Sequence, residues 1–160
     1  MSETRRAGAG DAAELMRLRH VMLASMHPGA VTAGSWLSAG VPVLERLLGD
    51  PAEPLAAFVV DRPDEPGLAA CVVGAVDQRL PGPRDSSGLR GYVYNVATDP
   101  RYRRRGYSRA CLTALLDWYA GRGITAVDLR ASAEGEPLYA ALGFVRTEDH
   151  PGMRLIIPAR

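Results

Sequence analysis

Residues Tyr92 to Ser108 read YVYNVATDPRYRRRGYS, and the fold turns on this stretch. An apolar strand, Tyr92 to Thr98, runs into a tight turn at Asp99-Pro100 and an arginine-rich loop, and Tyr107-Ser108 opens a helix. A glycine-containing loop between a strand and a helix N-terminus is suited to phosphate. The first N–H groups of a helix have no partner within it, and the helix dipole favours an anion there. Arg101, Arg103, Arg104 and Arg105 bring full positive charges to the same place. On composition alone, RYRRRG reads equally as a solvated basic turn or a nucleic-acid patch. The absence of a GxxxxGK pattern excludes a P-loop.

Two motifs carry a resemblance. Arg103-x-x-Gly106-x-Ser108, after a strand ending in Asp99-Pro100, resembles the acetyl-CoA signature of the GNAT superfamily of N-acetyltransferases, usually Gln/Arg-x-x-Gly-x-Gly/Ala. Ser108 is small but departs from that pattern. Downstream, Leu138-Tyr139-Ala140-Ala141-Leu142-Gly143-Phe144 resembles the LYxxxGF segment of the same family. The likeness covers Tyr92 to Phe144, and the N-terminal half only by element order.

The resemblance implies an α/β fold of about seven mostly antiparallel strands, with a central splayed parallel pair and about four helices. It implies a bulge in the central strand and acetyl-CoA as co-substrate, with no metal. The cofactor would lie on Val96, Ala97, Thr98, Arg103, Arg104, Arg105, Gly106, Tyr107 and Ser108. The Val96 backbone N–H would donate to the developing oxyanion, and Tyr139 would be the general acid. The reaction would be direct attack by a primary amine, from a small-molecule acceptor, in a ternary complex. No base is named. The central strand offers Tyr92, Tyr94 and Asn95 where many relatives place a glutamate. Asp77, Asp85, Glu134 and Glu136 are the nearest carboxylates by order, and a water held by Tyr94 or Asn95 is the other candidate. The missing glutamate leaves open a non-catalytic acyl-CoA-binding sensor or scaffold.

The rest of the chain sets bounds. A chain of 160 residues is long enough for one well-packed domain, residues 1–160. The formal charge of +1 gives no global field toward nucleic acid or an anionic membrane. All 19 basic residues are arginine, so no lysine is available for a Schiff base or for self-acetylation. Cys71 and Cys111 fall in apolar segments and read as core residues. His20, His27 and His150 lack metal-ligand spacing. MSETRRAGAGD carries no apolar run of a signal peptide, and no stretch is long enough for a bilayer span, so a cytoplasmic protein is expected. A homodimer is allowed.

In order, Thr4 to Ala7 is a weak strand. Asp11 opens a helix with Ala12, Leu15, Met16, Leu18 and Met22 on one stripe. Gly34 to Leu48 is helical with an interruption at Pro42 and Gly49 as its cap. Both helices read as core, and the resemblance also implies that Trp36 and the segment Met26 to Ser35 border the acceptor. Leu55 to Asp61 and Leu68 to Asp77 form an antiparallel hairpin, the second strand apolar enough to be buried on both faces. Arg79 to Leu89 is a long Pro- and Gly-rich loop that reads equally as a cover over the acceptor site or as a surface connection. Helix Tyr107 to Ala120 turns Tyr107, Cys111, Ala114, Leu115 and Trp118 to the sheet. A strand, Ile124 to Ala131, completes a right-handed βαβ unit. A short helix opens at Glu134 to Pro137 and closes at Gly143. Strands at Phe144 to Thr147 and Met153 to Ile157, joined through His150-Pro151-Gly152, end the chain.

Overall fold

The computed structural model describes residues 3–147 and 153–159. These fall into two compact units, Met1–Arg130 and Ala131–Arg160. The first holds a sheet in the order β1-β2-β3-β4-β5: Thr4–Arg6, Leu55–Asp61, Leu68–Gln78, Leu89–Thr98 and Val127–Leu129. The first three pairings are antiparallel, and β4 with β5 is parallel. β3 is buried over its first seven residues, as its unbroken apolar run requires.

Helices α1 (Ala12–Met26) and α2 (Ser35–Gly49) lie on one face of the sheet, and α3 (Tyr107–Gly121) on the other. Ala12, Leu15, Met16 and Leu18 are the buried stripe of α1. Leu15 and Leu18 share a core with Val59, Cys71, Val73 and Ala97, against which Met22 packs at the margin.

Several expectations are corrected. α2 runs through Pro42 and through Gly49, ending on Asp50. Pro42 only deprives the Ser38 carbonyl of a donor, and Ser38 is exposed, so water reaches that carbonyl. The buried residues of α3 are Cys111, Leu112, Leu115 and Tyr119. Trp118 lies at the edge of that stripe, under the guanidiniums of Arg122 at 4.3 Å and Arg6 at 5.7 Å.

The second unit contains α4 (Glu136–Ala141), with Pro137 in its first turn and Gly143 just beyond its end. Neither Phe144–Thr147 nor Met153–Ile157 is a strand. A strand is defined by a paired neighbour, and these segments have none among the described residues, so the sheet has five strands and not seven. The His150-Pro151-Gly152 turn lies outside the described residues.

Candidate active site

The site is organised by an irregularity in β4. Val73 pairs with Asn95, but the next residue of β3, Gly74, pairs with Val93. Tyr94 is therefore an extra residue, a bulge, and it leaves Tyr94 and Asn95 on the same face of the sheet as α1. Tyr119 of α3 closes the other face. Its hydroxyl lies 3.0 Å from both the Ala75 and Tyr92 carbonyls, a shared donor where the ladder is disturbed. Gly74 makes room for it, since a Cβ there would sit 2.3 Å from the Tyr119 oxygen.

The bulge also opens an edge. β5 pairs with β4 only at Gly91, Tyr92 and Val93. The Asp99 N–H donates to Ala69 of β3 at 2.8 Å. Strand alternation therefore turns the N–H groups of Asn95 and Ala97 toward β3 and those of Val96 and Thr98 the other way. On that side, beyond Val93, β4 has no strand partner among the described residues.

β4 then leads into the loop. The Asp99 side chain accepts from the Arg101 N–H at 3.1 Å, from Arg17 at 2.8 Å and from Arg62 at 3.0 Å. Glu14 binds Arg17 at 2.8 Å and accepts from the Leu68 N–H at 2.8 Å. This network fixes the end of β4 against α1 and the β2–β3 turn. Burial pushes the Asp99 carboxyl up, but the Arg101 N–H and the Arg17 and Arg62 guanidiniums outweigh it, and its pKa lies below the ordinary carboxylate value.

Tyr102 is buried, with Arg105, Arg101 and Arg62 stacked around its ring at 5.2, 5.5 and 6.0 Å, and its hydroxyl donates to Asp64. Arg101 is also paired with Glu65 at 2.6 Å. Arg103, Arg104 and Arg105 are exposed, and none pairs with a carboxylate among the described residues. Arg104 sits at φ 64, an uncommon conformation for a residue with a Cβ. Gly106, at φ 78, is the N-cap of α3 and has open space where a side chain would be. The first intrahelical bond is Ala110 N–H to Gly106, so the N–H groups of Tyr107, Ser108 and Arg109 have no partner in the helix. The Ser108 hydroxyl lies 2.5 Å from that of Thr98, tying the helix start to β4.

The structure thus brings Val96, Ala97, Thr98, Arg103, Arg104, Arg105, Gly106, Tyr107 and Ser108 into one continuous segment, from an open strand edge to a cationic helix start. A sequence model of the acetyltransferase (GNAT) family matches residues 19–144. The chain belongs to this family.

Its GNAT relatives differ in reach. The [ribosomal protein bS18]-alanine N-acetyltransferase of Escherichia coli K12 is 42% identical over 55 residues, which is 32% of this chain and 37% of that enzyme. The match therefore spans little more than a third of that relative's length. A predicted acetyltransferase of Clostridium acetobutylicum, solved with acetyl-CoA, superposes with a TM-score of 0.81 at 22% identity, covering 96% of both chains. A GCN5-related N-acetyltransferase of Ralstonia eutropha JMP134 gives 0.75 at 25% identity, over 96% of this chain and 99% of that one. An aminoglycoside acetyltransferase from an uncultured soil metagenomic sample, in complex with trehalose, gives 0.70 at 16% identity, over 98% and 96%.

The remaining expectations concern other parts of the chain. Tyr139 is half-buried on α4 in the second unit, edge-on to Phe144 at 6.0 Å, and burial pushes its phenol pKa up. Of the carboxylates considered as base, Asp77 is paired with Arg79 at 3.0 Å and Glu136 with Arg146 at 2.5 Å. Asp85 is held by Ser87 at 2.6 Å, and Glu134 is exposed. The Arg79 to Leu89 loop folds on itself, Arg79 N–H to Gly88 at 2.8 Å and Gly82 N–H to Asp85 at 2.9 Å. Trp36 packs edge-on to His20 at 6.0 Å and donates to Thr32 at 3.2 Å.

One feature of the site is not apparent from sequence order. A cavity of about 370 Å³ lies over the bulge, between α1, α2 and the sheet. Leu15, Met16, Val43, Leu44, Leu55 and Val73 form its walls, with Gly40, Arg19, Tyr94 and Asn95. From sequence, Asn95 was a candidate to hold a water, without the cavity that it lines.

Proposed function

We propose that this chain is an acetyl-CoA-dependent N-acetyltransferase, a single catalytic domain over 1–160 that acetylates a primary amine of a small molecule in a ternary complex. One observation carries the reading: the β4 edge opened at Tyr94 leads without interruption to three arginines and the start of α3. The co-substrate supplies an acetyl thioester on a long arm ending in phosphates. Thr98 holds the arm through its outward N–H group, and that of Val96 points to the thioester end. Arg103, Arg104 and Arg105, with the free N–H groups of Tyr107 and Ser108, hold its pyrophosphate. Gly106 lets that phosphate approach the backbone.

In the reaction the amine nitrogen bonds to the acetyl carbon and the carbon–sulfur bond breaks. The Val96 N–H donates to the carbonyl oxygen as charge develops there. Tyr139 gives its proton to the departing sulfur and regains one from water. The acceptor's own proton leaves to water. An alkyl amine of pKa about 10.4 is neutral about one part in a thousand near pH 7.4, so deprotonation costs roughly 4 kcal/mol. Asn95 and Tyr94 are the polar groups beside the bulge able to hold that water.

That no carboxylate of the described residues lines the cavity favours a second reading, a non-catalytic acyl-CoA-binding domain. Release of free thiol from acetyl-CoA across an amine panel, with mass detection of the product, separates the two. Gly106→Asp puts an anion where the phosphate would sit. It should weaken acetyl-CoA binding more than about tenfold in a folded protein. Unchanged affinity by calorimetry would remove the assignment of the loop.

A further inference from the structure

We infer that the cavity over the bulge takes a primary amine with an apolar body and no second positive charge, and that Asn95 is its polar anchor, accepting an N–H of that amine. The inference rests on the acetyl-transfer reading above and narrows its acceptor.

The first observation is a vacant acceptor. Asn95 is 4% exposed, and its Oδ1 has no hydrogen-bond partner, while Nδ2 is satisfied only by the Cys71 sulfur at 3.5 Å. A buried amide carbonyl left unpaired costs stability, and an aliphatic residue would fill the same place without that cost. Asn95 lines the cavity, one residue from Val96. A ligand N–H that reaches its buried Oδ1 satisfies it and stands beside the open edge of β4. Asn95 cannot remove a proton, so its role is to orient the nitrogen.

The second observation is the rest of the lining. The walls are aliphatic, and neither Asp nor Glu is among them. Among the described residues the only ionic lining group is Arg19, which is exposed at the rim and has no carboxylate partner there. A polyamine or aminoglycoside would bring several ammonium groups against a guanidinium with no counter-charge, and Coulomb repulsion opposes it. A monoamine with an alkyl or aryl body buries that body against Leu15, Val43 and Leu44 and keeps only its reacting nitrogen polar. A carboxylate on the ligand is tolerated near Arg19.

The full chain is assayed with acetyl-CoA against hexylamine, 2-phenylethylamine, spermidine and kanamycin, by thiol release and by calorimetry of each amine alone. Hexylamine or 2-phenylethylamine should exceed spermidine and kanamycin in kcat/KM by at least about 30-fold, a difference of roughly 2 kcal/mol. Asn95→Leu should raise KM for the apolar amine about tenfold or more, with acetyl-CoA affinity within about twofold, and should raise Tm by a few degrees. Val43→Trp, on the half-exposed face of α2, should fill the cavity and weaken the apolar amine without affecting acetyl-CoA. A preference for spermidine or kanamycin overturns the inference and leaves acetyl transfer standing, as does an unchanged amine KM in a folded Asn95→Leu. If no amine is acetylated, the transfer reading falls. Hexylamine binding that Val43→Trp abolishes would then still support the cavity's preference, and no binding would overturn it.

Discussion

Asp99→Asn tests how the motif loop is held. The Asp99 side chain is 7% exposed and receives two guanidiniums and one backbone N–H. Asparagine keeps the shape and one acceptor, so the Arg101 N–H can stay bonded, but the charge is lost. Breaking a buried ion pair costs about 3–5 kcal/mol when the remaining charge is stranded. Here neither arginine is stranded, because Arg17 keeps Glu14 and the Leu68 carbonyl, and Arg62 keeps Glu65. About 2–3 kcal/mol is the reasonable loss. In a domain of this size each kcal/mol moves Tm by about 2–4 °C, so the fall should be roughly 4–12 °C.

The pH dependence has a definite sign. The folded pKa of Asp99 is depressed, so its contribution is complete above the unfolded value of about 3.9 and is lost as pH falls through the lower folded one. Scanning calorimetry of both proteins should show the full Tm gap at pH 7 and at pH 5, shrinking below about pH 4. A gap under about 1 °C at pH 7, or one that persists unchanged at pH 3, would refute the role given to this carboxylate.

Arg104→Ala or Arg105→Ala should raise KM for acetyl-CoA with kcat little changed, and the effect should shrink as salt rises, because both side chains are exposed. An equal loss from Arg160→Ala would show that only overall charge matters. Tyr139→Phe should lower kcat at least about tenfold while acetyl-CoA affinity holds, since loss of a general acid costs about 10²- to 10⁴-fold when chemistry limits turnover. A near wild-type single-turnover rate would leave Tyr139 a packing residue.

What the sequence discloses here is local. The strand, turn, loop and helix of Tyr92 to Ser108 were legible because each signal sits within a few residues of the structure it makes: Asp99-Pro100 for the turn, Gly106 for the left-handed cap. The bulge was not legible from the residues, because it is a mismatch between β4 and β3 and exists only in their register. Asp99 read as a turn residue for the same reason, since its partners Arg17 and Arg62 are distant in the chain. Trp118 looked like the core aromatic of α3. The helix instead buries Tyr119, whose hydroxyl reaches two carbonyls, and leaves the indole to two arginines. The apolar pattern of Met153 to Ile157 resembled a strand, yet Leu155, Ile156 and Ile157 are 82, 75 and 80% exposed and have no described neighbour to pair with. The cavity combines residues from α1, α2, β2, β3 and β4, a juxtaposition that no single stretch encodes.

The Tyr94 bulge has an evolutionary consequence. The residues on either side of it, Val93 and Asn95, already face the way they would in a strand without it, each opposite its own partner, Gly74 or Val73. Loss of that single codon would therefore not turn the strand over. It would heal the ladder, keep Asn95 and Ala97 in the core, and free β5 to continue along β4 past Val93. The fold would come through as a more regular and stiffer sheet, and the gap would be gone. In this chain the difference between a closed sheet and one with an open edge is one inserted residue, so a lineage can lose the proposed acetyl-CoA site in one step without any sign of misfolding.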